Sequence, residues 1–186
     1  MLDKSCGLVY NMNIPAYYIQ KEDKIMASAA EIQNAEKVYQ SICSMLDGIS
    51  FRYETEKRED DYIIRCTVNG DDIPMDMIIL VRAEREIVSL LSPMPFKAPE
   101  DKRVEAAIAV SVANYGMIDG SFDYDINDGE IRFRMTASFI DSQLGEEQFK
   151  YMLFVSAQTI DRYNDRFMAL VKGTMTLQQF VDMDKE

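Results

Sequence analysis

The spacing of apolar positions along the chain changes several times, and each change marks a predicted element. From residue 28 the apolar positions recur every three or four residues, which is typical of an amphipathic helix. Ser28 and Glu31 are spaced as a capping box at its start, and Gly48 is predicted to take the left-handed conformation that ends it. The stripe consists of Ile32, Ala35, Tyr39, Ile42 and Leu46.

Alternating or continuously apolar segments follow and predict strands. Residues 49–53 and 62–68 alternate between apolar and polar positions, which is typical of half-buried strands. The charged residues 54–61 between them are predicted to turn the chain at the surface. Residues 69–72 form a second turn signal, and the nearly all-apolar residues 75–81 indicate a strand covered on both faces.

Three prolines shape the middle of the chain. A strand over residues 87–91 is predicted to stop before Pro93 and Pro95, and regular structure to resume where Pro99 begins a second helix. Gly116 ends that helix in the prediction. Its inward-facing stripe is predicted to consist of Val104, Ala107, Ile108, Val112 and Tyr115.

A hairpin and a long helix complete the pattern. The turn residues 127–129, Asn-Asp-Gly, stand between two alternating segments, which predicts a hairpin. A helix over about residues 146–172 carries an apolar seam suited to packing on its own sheet and, in part, on a second copy. Thr176 and Gln179 are spaced as a capping box for a short last helix. The seam consists of Phe149, Leu153, Ser156, Ile160, Tyr163, Phe167 and Leu170.

The order of elements predicts the fold class. It is helix, three or four strands, helix, hairpin, helix, or α-β-β-β(-β)-α-β-β-α. Tight turns between successive strands require antiparallel pairing, so we predict an α+β fold with helices packed on a single antiparallel sheet. No repeat or low-complexity linker divides residues 24–186, which are predicted to form one domain.

Residues 1–23 are predicted to be an N-terminal arm. Pro15 argues against a helix running through them, and they are too apolar for a disordered tail. We expect the arm to pack on the domain or on a second subunit. Its large apolar residues are Leu8, Val9, Tyr10, Ile14, Tyr17, Tyr18 and Ile19.

The charge of the chain bears on its partners. With 20 basic and 32 acidic residues the formal net charge is −12, which repels nucleic-acid backbones and anionic lipid headgroups. A basic partner would be attracted, although the same charge also serves solubility. We expect no nucleic-acid or membrane partner.

The chemistry available to the chain is limited. Histidine is absent, which removes the commonest general base and metal ligand. The sequence contains no Gly-rich phosphate loop, nucleophile elbow or HExxH motif. Carboxylates are abundant, but the sequence does not show which of them lie close together, so they do not define a catalytic mechanism. We therefore predict no enzyme and no catalytic, cofactor or metal site.

The three cysteines and the absence of long apolar runs indicate the compartment. Cys6, Cys43 and Cys66 are too few and too widely spaced for a disulfide framework or a metal knuckle. No stretch has the apolar core of a signal peptide or the ~20 apolar residues of a membrane span. We expect a cytoplasmic protein.

Residues 123–130 have acids at the alternate positions that a calcium loop uses. Counting from Asp123, the position that requires glycine is Asp128, and the position that requires a bidentate glutamate is Arg134. We therefore interpret these acids as the solvent face of the hairpin. Its other face consists of Phe122, Tyr124 and Ile126.

Four segments within residues 74–180 are similar to the YbjN family. They are residues 74–81 (PMDMIILV), 90–96 (LLSPMPF), 100–105 (EDKRVE) leading to Asn114, and 120–134 (GSFDYDINDGEIRFR). That family resembles type III secretion chaperones in fold. The resemblance implies an acidic, often dimeric, non-enzymatic protein that acts as a sensory-transduction regulator or chaperone-like binder. Asn114, Gly120 and Gly129 are its fixed points, and we interpret them as a helix end and two turns.

Three functional hypotheses follow. The first is a non-enzymatic, chaperone-like or regulatory protein whose exposed sheet edge or N-terminal arm binds an extended segment of an unidentified protein partner. The second is a carboxylate-dependent enzyme with two acids whose pKa values differ within one cleft. The third is a homodimer whose assembly state is itself the signal.

Overall fold

The computed structural model describes residues 26–184, which contain a six-stranded antiparallel sheet and four α-helices. The predicted arm, residues 1–23, lies outside the described residues. The helices are α1 (Ala29–Gly48), α2 (Arg103–Tyr115), α3 (Glu146–Val171) and α4 (Leu177–Met183). The strands are β1 (Tyr53–Arg58), β2 (Asp61–Asn69), β3 (Pro74–Arg82), β4 (Ile87–Lys97), β5 (Ser121–Tyr124) and β6 (Glu130–Ser138).

The sheet has the strand order β1-β2-β3-β4-β6-β5, and all neighbouring strands are antiparallel. The first four strands form a meander, and the β5–β6 hairpin joins it through β6. This arrangement confirms the predicted α+β class with a single antiparallel sheet.

The helices pack on one face of the sheet, which we call the inner face. Ile64, Ile79, Leu90 and Met135 stand in one row of cross-strand pairs on that face, and all are 8% exposed or less. They form one core with apolar residues of all four helices. The predicted seam of α3 is confirmed, because each of its seven residues is buried against this core.

The end of α1 and the start of the sheet differ from the prediction. The capping box of Ser28 and Glu31 is confirmed. However, Gly48 lies within the helix and Ser50 takes the left-handed conformation, with φ 55°. The strand predicted at residues 49–53 begins only at Tyr53, and most of the charged run belongs to β1. An edge strand accepts charged residues because one side of it faces water.

The prediction that prolines exclude regular structure after residue 91 is wrong. β4 continues through Pro93 and Pro95 to Lys97, with a register shift between Pro93 and Lys97. Its pairing with β3 ends at Leu91, so beyond that residue β4 has a strand on one side only. Proline, which lacks an N–H group, is tolerated where that side of the ladder is open.

The inward-facing stripe predicted for α2 is wrong at three of its positions. Val104 is 66%, Ile108 45% and Tyr115 96% exposed to solvent, whereas Val112 packs against the core. Small residues form the buried side instead, because they let α2 approach β5, α3 and α4 closely. The buried residues of α2 are Ala106, Ala109, Val110 and Ala113.

The hairpin and the last helix follow the prediction more closely. Gly129 has φ 80° in the turn between β5 and β6, and the capping box of Thr176 and Gln179 starts α4. β5 is short, so Ile126 lies in the turn and is 54% exposed rather than facing the core. Pro99 precedes a 3₁₀ turn, Glu100–Lys102, that leads into α2.

Candidate functional site

An uncharged apolar stripe runs along the solvent side of α2. Val104, Ile108, Ser111 and Tyr115 follow one another at four- and three-residue spacing, which places them on one side of the helix. Their exposed fractions include 66% for Val104, 45% for Ile108 and 96% for Tyr115. Ile118, just beyond the helix, is also 96% exposed. We call these five residues the α2 face.

A side-chain clamp fixes the C-terminal end of this face. Asn114 donates from Nδ2 to the carbonyl oxygen of Phe122 at 2.9 Å and accepts at Oδ1 from the Phe122 backbone N–H at 2.7 Å. The last turn of α2 is therefore tied to β5. Gly120, at φ 73°, lets the chain pass close to Phe133, since a Cβ atom there would lie 2.3 Å from Cζ of Phe133.

Helix α3 extends the apolar surface. The Tyr151 hydroxyl donates to Oδ2 of Asp119 at 2.5 Å, which places Tyr151 beside the loop that carries Ile118. This hydrogen bond raises the pKa of Tyr151. Phe154 lies one turn further along α3, and the two rings are 50% and 56% exposed.

Acidic residues border the α2 face. Between residues 100 and 119 four acids stand against two bases. Glu100 and Asp101 are exposed in the turn before α2. One of the bases, Lys102, is engaged with Glu105 through an ion pair of 2.9 Å. The apolar stripe thus has a rim of net negative charge.

The two edges of the sheet differ in their ability to accept a further strand. The clamp from Asn114 occupies the backbone groups of Phe122 on β5. β1 pairs with β2 alone, so within the described residues its other side has no strand partner. At β1, strand addition would displace no strand of the described part of the chain.

The carboxyl groups with raised pKa values do not form a pair. Burial raises the pKa of Asp61, Glu130 and Asp161, and the charged neighbours of the three differ. Asp61 accepts from the backbone of Ala83, Glu130 lies at the start of β6, and Asp161 accepts from the backbone of Asp71. Among residues 26–184 no group of three or more possible ligands is placed to hold a metal ion.

The acids of the β5–β6 hairpin are engaged in local contacts. Asp123 accepts hydrogen bonds from Arg132 and Arg134, at 2.9–3.2 Å. Asp128 pairs with Lys97, and Asp125 accepts from the backbone and side chain of Asn127. The prediction of a hairpin in this segment is confirmed.

The cysteines that the structure describes are free thiols. Burial raises the pKa of Cys66 to about 12 and raises the pKa of the half-buried Cys43. In residues 26–184 no helix combines the length and apolarity needed to cross a membrane.

Sequence reasoning missed the α2 face because both sides of α2 are apolar. It assigned the larger residues to the core, whereas the alanines occupy it. The signal that could have revealed the face is the regular spacing of Ala106, Ala109 and Ala113, which offers a side for close packing. The sequence predicted no individual site residue. It indicated an exposed sheet edge or the N-terminal arm as the binding element, and the arm lies outside the described residues.

The chain matches the model of a known protein family. The model of the YbjN family, described as "putative bacterial sensory transduction regulator", matches residues 39–169. The match includes all six strands, the whole of α2 and the Asn114 clamp. No curated protein matches the chain.

Proposed function

The chain belongs to the YbjN family, and from this premise we propose that it is a non-enzymatic, chaperone-like or regulatory protein that binds a protein partner through the α2 face. A regulatory role is compatible with the description of the family. Strand addition at β1 is a second mode that the fold permits, but the α2 face has the stronger physical argument.

The observation that carries the proposal is the exposure of Tyr115 and Ile118, each 96%, beside Val104 and Ile108 on a stripe without charge. Single exposed apolar residues are common in soluble proteins, whereas contiguous patches beyond a few hundred Å² mark interaction sites. Aromatic side chains contribute strongly to protein interfaces. Tyr115 and Tyr151 therefore provide suitable anchors for a partner.

The acidic rim of the α2 face favours a partner with basic residues. Its excess of acids favours a segment that has an apolar side flanked by lysine or arginine. An amphipathic helix that packs along α2 would place apolar side chains of its own against Val104, Ile108 and Tyr115. We expect such binding to weaken as salt is added, because salt screens the charge contacts.

A homodimer is a second proposal for the same face. A second copy related by a two-fold axis would place Val104 of one chain towards Tyr115 of the other, with Ser111 near the axis. The two acidic rims would then approach each other. We expect dimerisation through this face to strengthen with salt, the opposite of the behaviour expected for a basic partner.

The enzyme hypothesis receives no support from a specific observation. It requires two acids in one cleft, whereas Asp61, Glu130 and Asp161 each have their own charged neighbours. We propose a cytoplasmic setting for the binding role. Free thiols at Cys43 and Cys66 are compatible with a reducing compartment.

The test is a comparative capture from the cells that make the protein. The wild-type chain, Ile108→Glu and Gln40→Glu are used as baits, and the captured proteins are quantified by mass spectrometry. Gln40 is exposed on α1, which packs on β2 and β3. Gln40→Glu therefore adds the same charge as Ile108→Glu, but at a position away from the α2 face. Circular dichroism of all three checks that they fold alike.

We expect one partner to be captured by the wild type and by Gln40→Glu and lost from Ile108→Glu. A charged side chain in an apolar contact loses its hydration, so the affinity should fall by at least about tenfold, or about 1.4 kcal/mol. A partner captured equally by all three baits would contradict the proposed site.

A further inference from the structure

Asp119 is a carboxylate without a basic partner at the end of the α2 face. Residues 104–131 contain six acids and no lysine or arginine, so any base that pairs with these acids comes from another part of the chain. Among residues 26–184 Asp119 forms no ion pair, and its Oδ2 atom accepts one hydrogen bond, from the Tyr151 hydroxyl. Four of the six acids do form ion pairs, namely Glu105, Asp123, Asp128 and Glu130.

The groups around Asp119 favour a positive charge. Asp119 lies four residues after the end of α2, whose last turn contains no basic residue. The carbonyl end of a helix carries a partial negative charge. The ring of Tyr151 is half exposed, and the face of a tyrosine ring attracts cations. A carboxylate, a helix end and an aromatic ring are thus brought together in a place that solvent reaches.

Arginine is the side chain that fits this set of groups. Its planar guanidinium group donates hydrogen bonds within its plane and stacks on aromatic rings through its face. It can therefore donate to Oδ1 of Asp119 while its plane lies against the ring of Tyr151. The exposed Ile118 offers an apolar contact for the aliphatic part of the same side chain. Lysine carries a compact, strongly hydrated charge and does not stack in this way.

We propose that Asp119 and Tyr151 bind an arginine side chain of the protein partner that lies along the α2 face. This inference rests on the proposed function, because it names the residue with which that partner meets the C-terminal end of α2. A charged contact at one end of an uncharged stripe also fixes the direction in which an amphipathic segment lies along it.

The alternative is that Asp119 only holds the loop between α2 and β5 on α3. The hydrogen bond from Tyr151 serves that role, and the side-chain oxygen of an asparagine would accept the same bond. The two roles therefore differ in whether a negative charge is needed at position 119.

Fluorine NMR of the full chain labelled with 3-fluorotyrosine tests the proposal. The probe is N-acetyl-arginine amide, with N-acetyl-citrulline amide as its neutral counterpart and Nα-acetyl-lysine amide as a second cation. Tyr151→Phe identifies the Tyr151 resonance. We expect the arginine compound to shift that resonance with a Kd on the order of 1–10 mM, since a single side chain makes few contacts. The lysine compound should bind more weakly, and the citrulline compound should cause no shift.

The need for the charge is tested with Asp119→Asn. The matched control is Asp165→Asn, which removes an exposed carboxylate on α3 about 21 Å along the helix from Tyr151. We expect Asp119→Asn to weaken binding of the arginine compound at least about threefold, because it loses a charge-assisted hydrogen bond. Asp165→Asn should bind the compound as the wild type does.

Three results would overturn the proposal. They are a Tyr151 resonance that does not move, equal shifts from the arginine compound and either of the other two, and equal affinities of Asp119→Asn and the wild type. Each would leave the α2 face in place, since the capture experiment depends on Ile108. Binding of the arginine compound together with unchanged capture by Ile108→Glu would contradict the α2 face and retain the arginine site.

Discussion

Gly129 shows how one residue fixes the position of the hairpin relative to β4. Its φ is 80°, and a Cβ atom would lie 2.1 Å from the carbonyl oxygen of Ala98. The Ala98 N–H donates to the carbonyl oxygen of Gly129 at 2.8 Å, so the two backbones are in direct contact. A side chain at position 129 has no space unless the hairpin moves.

Gly129→Ala should therefore destabilise the protein. We expect a loss of more than about 1 kcal/mol in the free energy of unfolding, since the change adds both a clash and an unfavourable φ. Denaturant titration followed by circular dichroism measures it. The control is Gly116→Ala, where φ is −98° and no heavy atom lies within 4 Å of the new Cβ. Equal effects of the two changes would contradict this account.

Asp161 is a residue whose charge opposes folding. Its Oδ1 atom is buried without a hydrogen-bond partner, and burial together with Asp71 and Asp72 raises the pKa of its carboxyl group. Asp161→Asn removes the charge and keeps an acceptor for the Asp71 N–H. We expect a gain below about 1 kcal/mol at pH 7, because solvent screens the partly exposed group.

The pH dependence of this gain has a defined sign. A carboxyl group with a raised folded-state pKa binds its proton more readily in the folded protein, so the wild type gains stability as pH falls. The advantage of Asp161→Asn over the wild type should therefore shrink as pH is lowered from 7 towards about 4. Thermal unfolding at several pH values measures it, with Asp165→Asn as the control. An advantage that grows on acidification would contradict the assignment.

At the residue scale, local signals were predictable and long-range ones were not. The Asn-Asp-Gly turn at residues 127–129 can be read from three consecutive letters. The role of Asn114 cannot, because its partner Phe122 becomes adjacent only when α2 docks on β5. The sequence prediction of a helix end at Asn114 was correct in place but did not include the clamp.

At the element scale, α2 depends on the Asn114 clamp for its position. Asn114→Ala would leave the N–H and carbonyl groups of Phe122 without these partners. We expect a loss of about 1–3 kcal/mol in the free energy of unfolding. Hydrogen exchange at the Phe122 amide should accelerate more than exchange in the centre of the sheet.

The matched control for the clamp is Gln40→Ala, an exposed change on α1. It should alter neither the stability nor the exchange of Phe122 measurably. If Asn114→Ala leaves the Phe122 amide as protected as in the wild type, the two hydrogen bonds do not hold α2 on β5.

The errors of the sequence prediction at this scale have one cause. Periodicity reports which residues share a side of an element, but not which side meets the rest of the protein. In α2 both sides are apolar, and the side with small residues packs inward. In β4, Pro93 and Pro95 are tolerated because the pairing between β3 and β4 stops at Leu91 of β4. The point at which that pairing stops depends on the lengths of the neighbouring strands.

At the scale of the whole molecule, the order of elements was predictable because it depends on local turns and periods. The proposed binding surface was not, since it is composed of residues from more than one element. Val104 belongs to α2, whereas Tyr151 belongs to α3. The net charge of −12 adds a global constraint, because any partner approaches through an acidic field.

Ionic strength should separate the two occupants of the α2 face. Light scattering of the purified chain over a range of salt concentrations measures self-association. A homodimer through the α2 face should strengthen with salt because its acidic rims repel each other. A dimer that weakens with salt, or that is unchanged in Ile108→Glu, would use another surface.

Photo-crosslinking at Tyr115 shows whether the α2 face contacts a protein partner. A photoreactive amino acid replaces Tyr115, or Gln40 as a control, in the full chain inside the cells that make it. The account predicts a discrete adduct from position 115 that is lost when Ile108→Glu is added, and no such adduct from position 40. The absence of an adduct at position 115, or one that persists with Ile108→Glu, would contradict it.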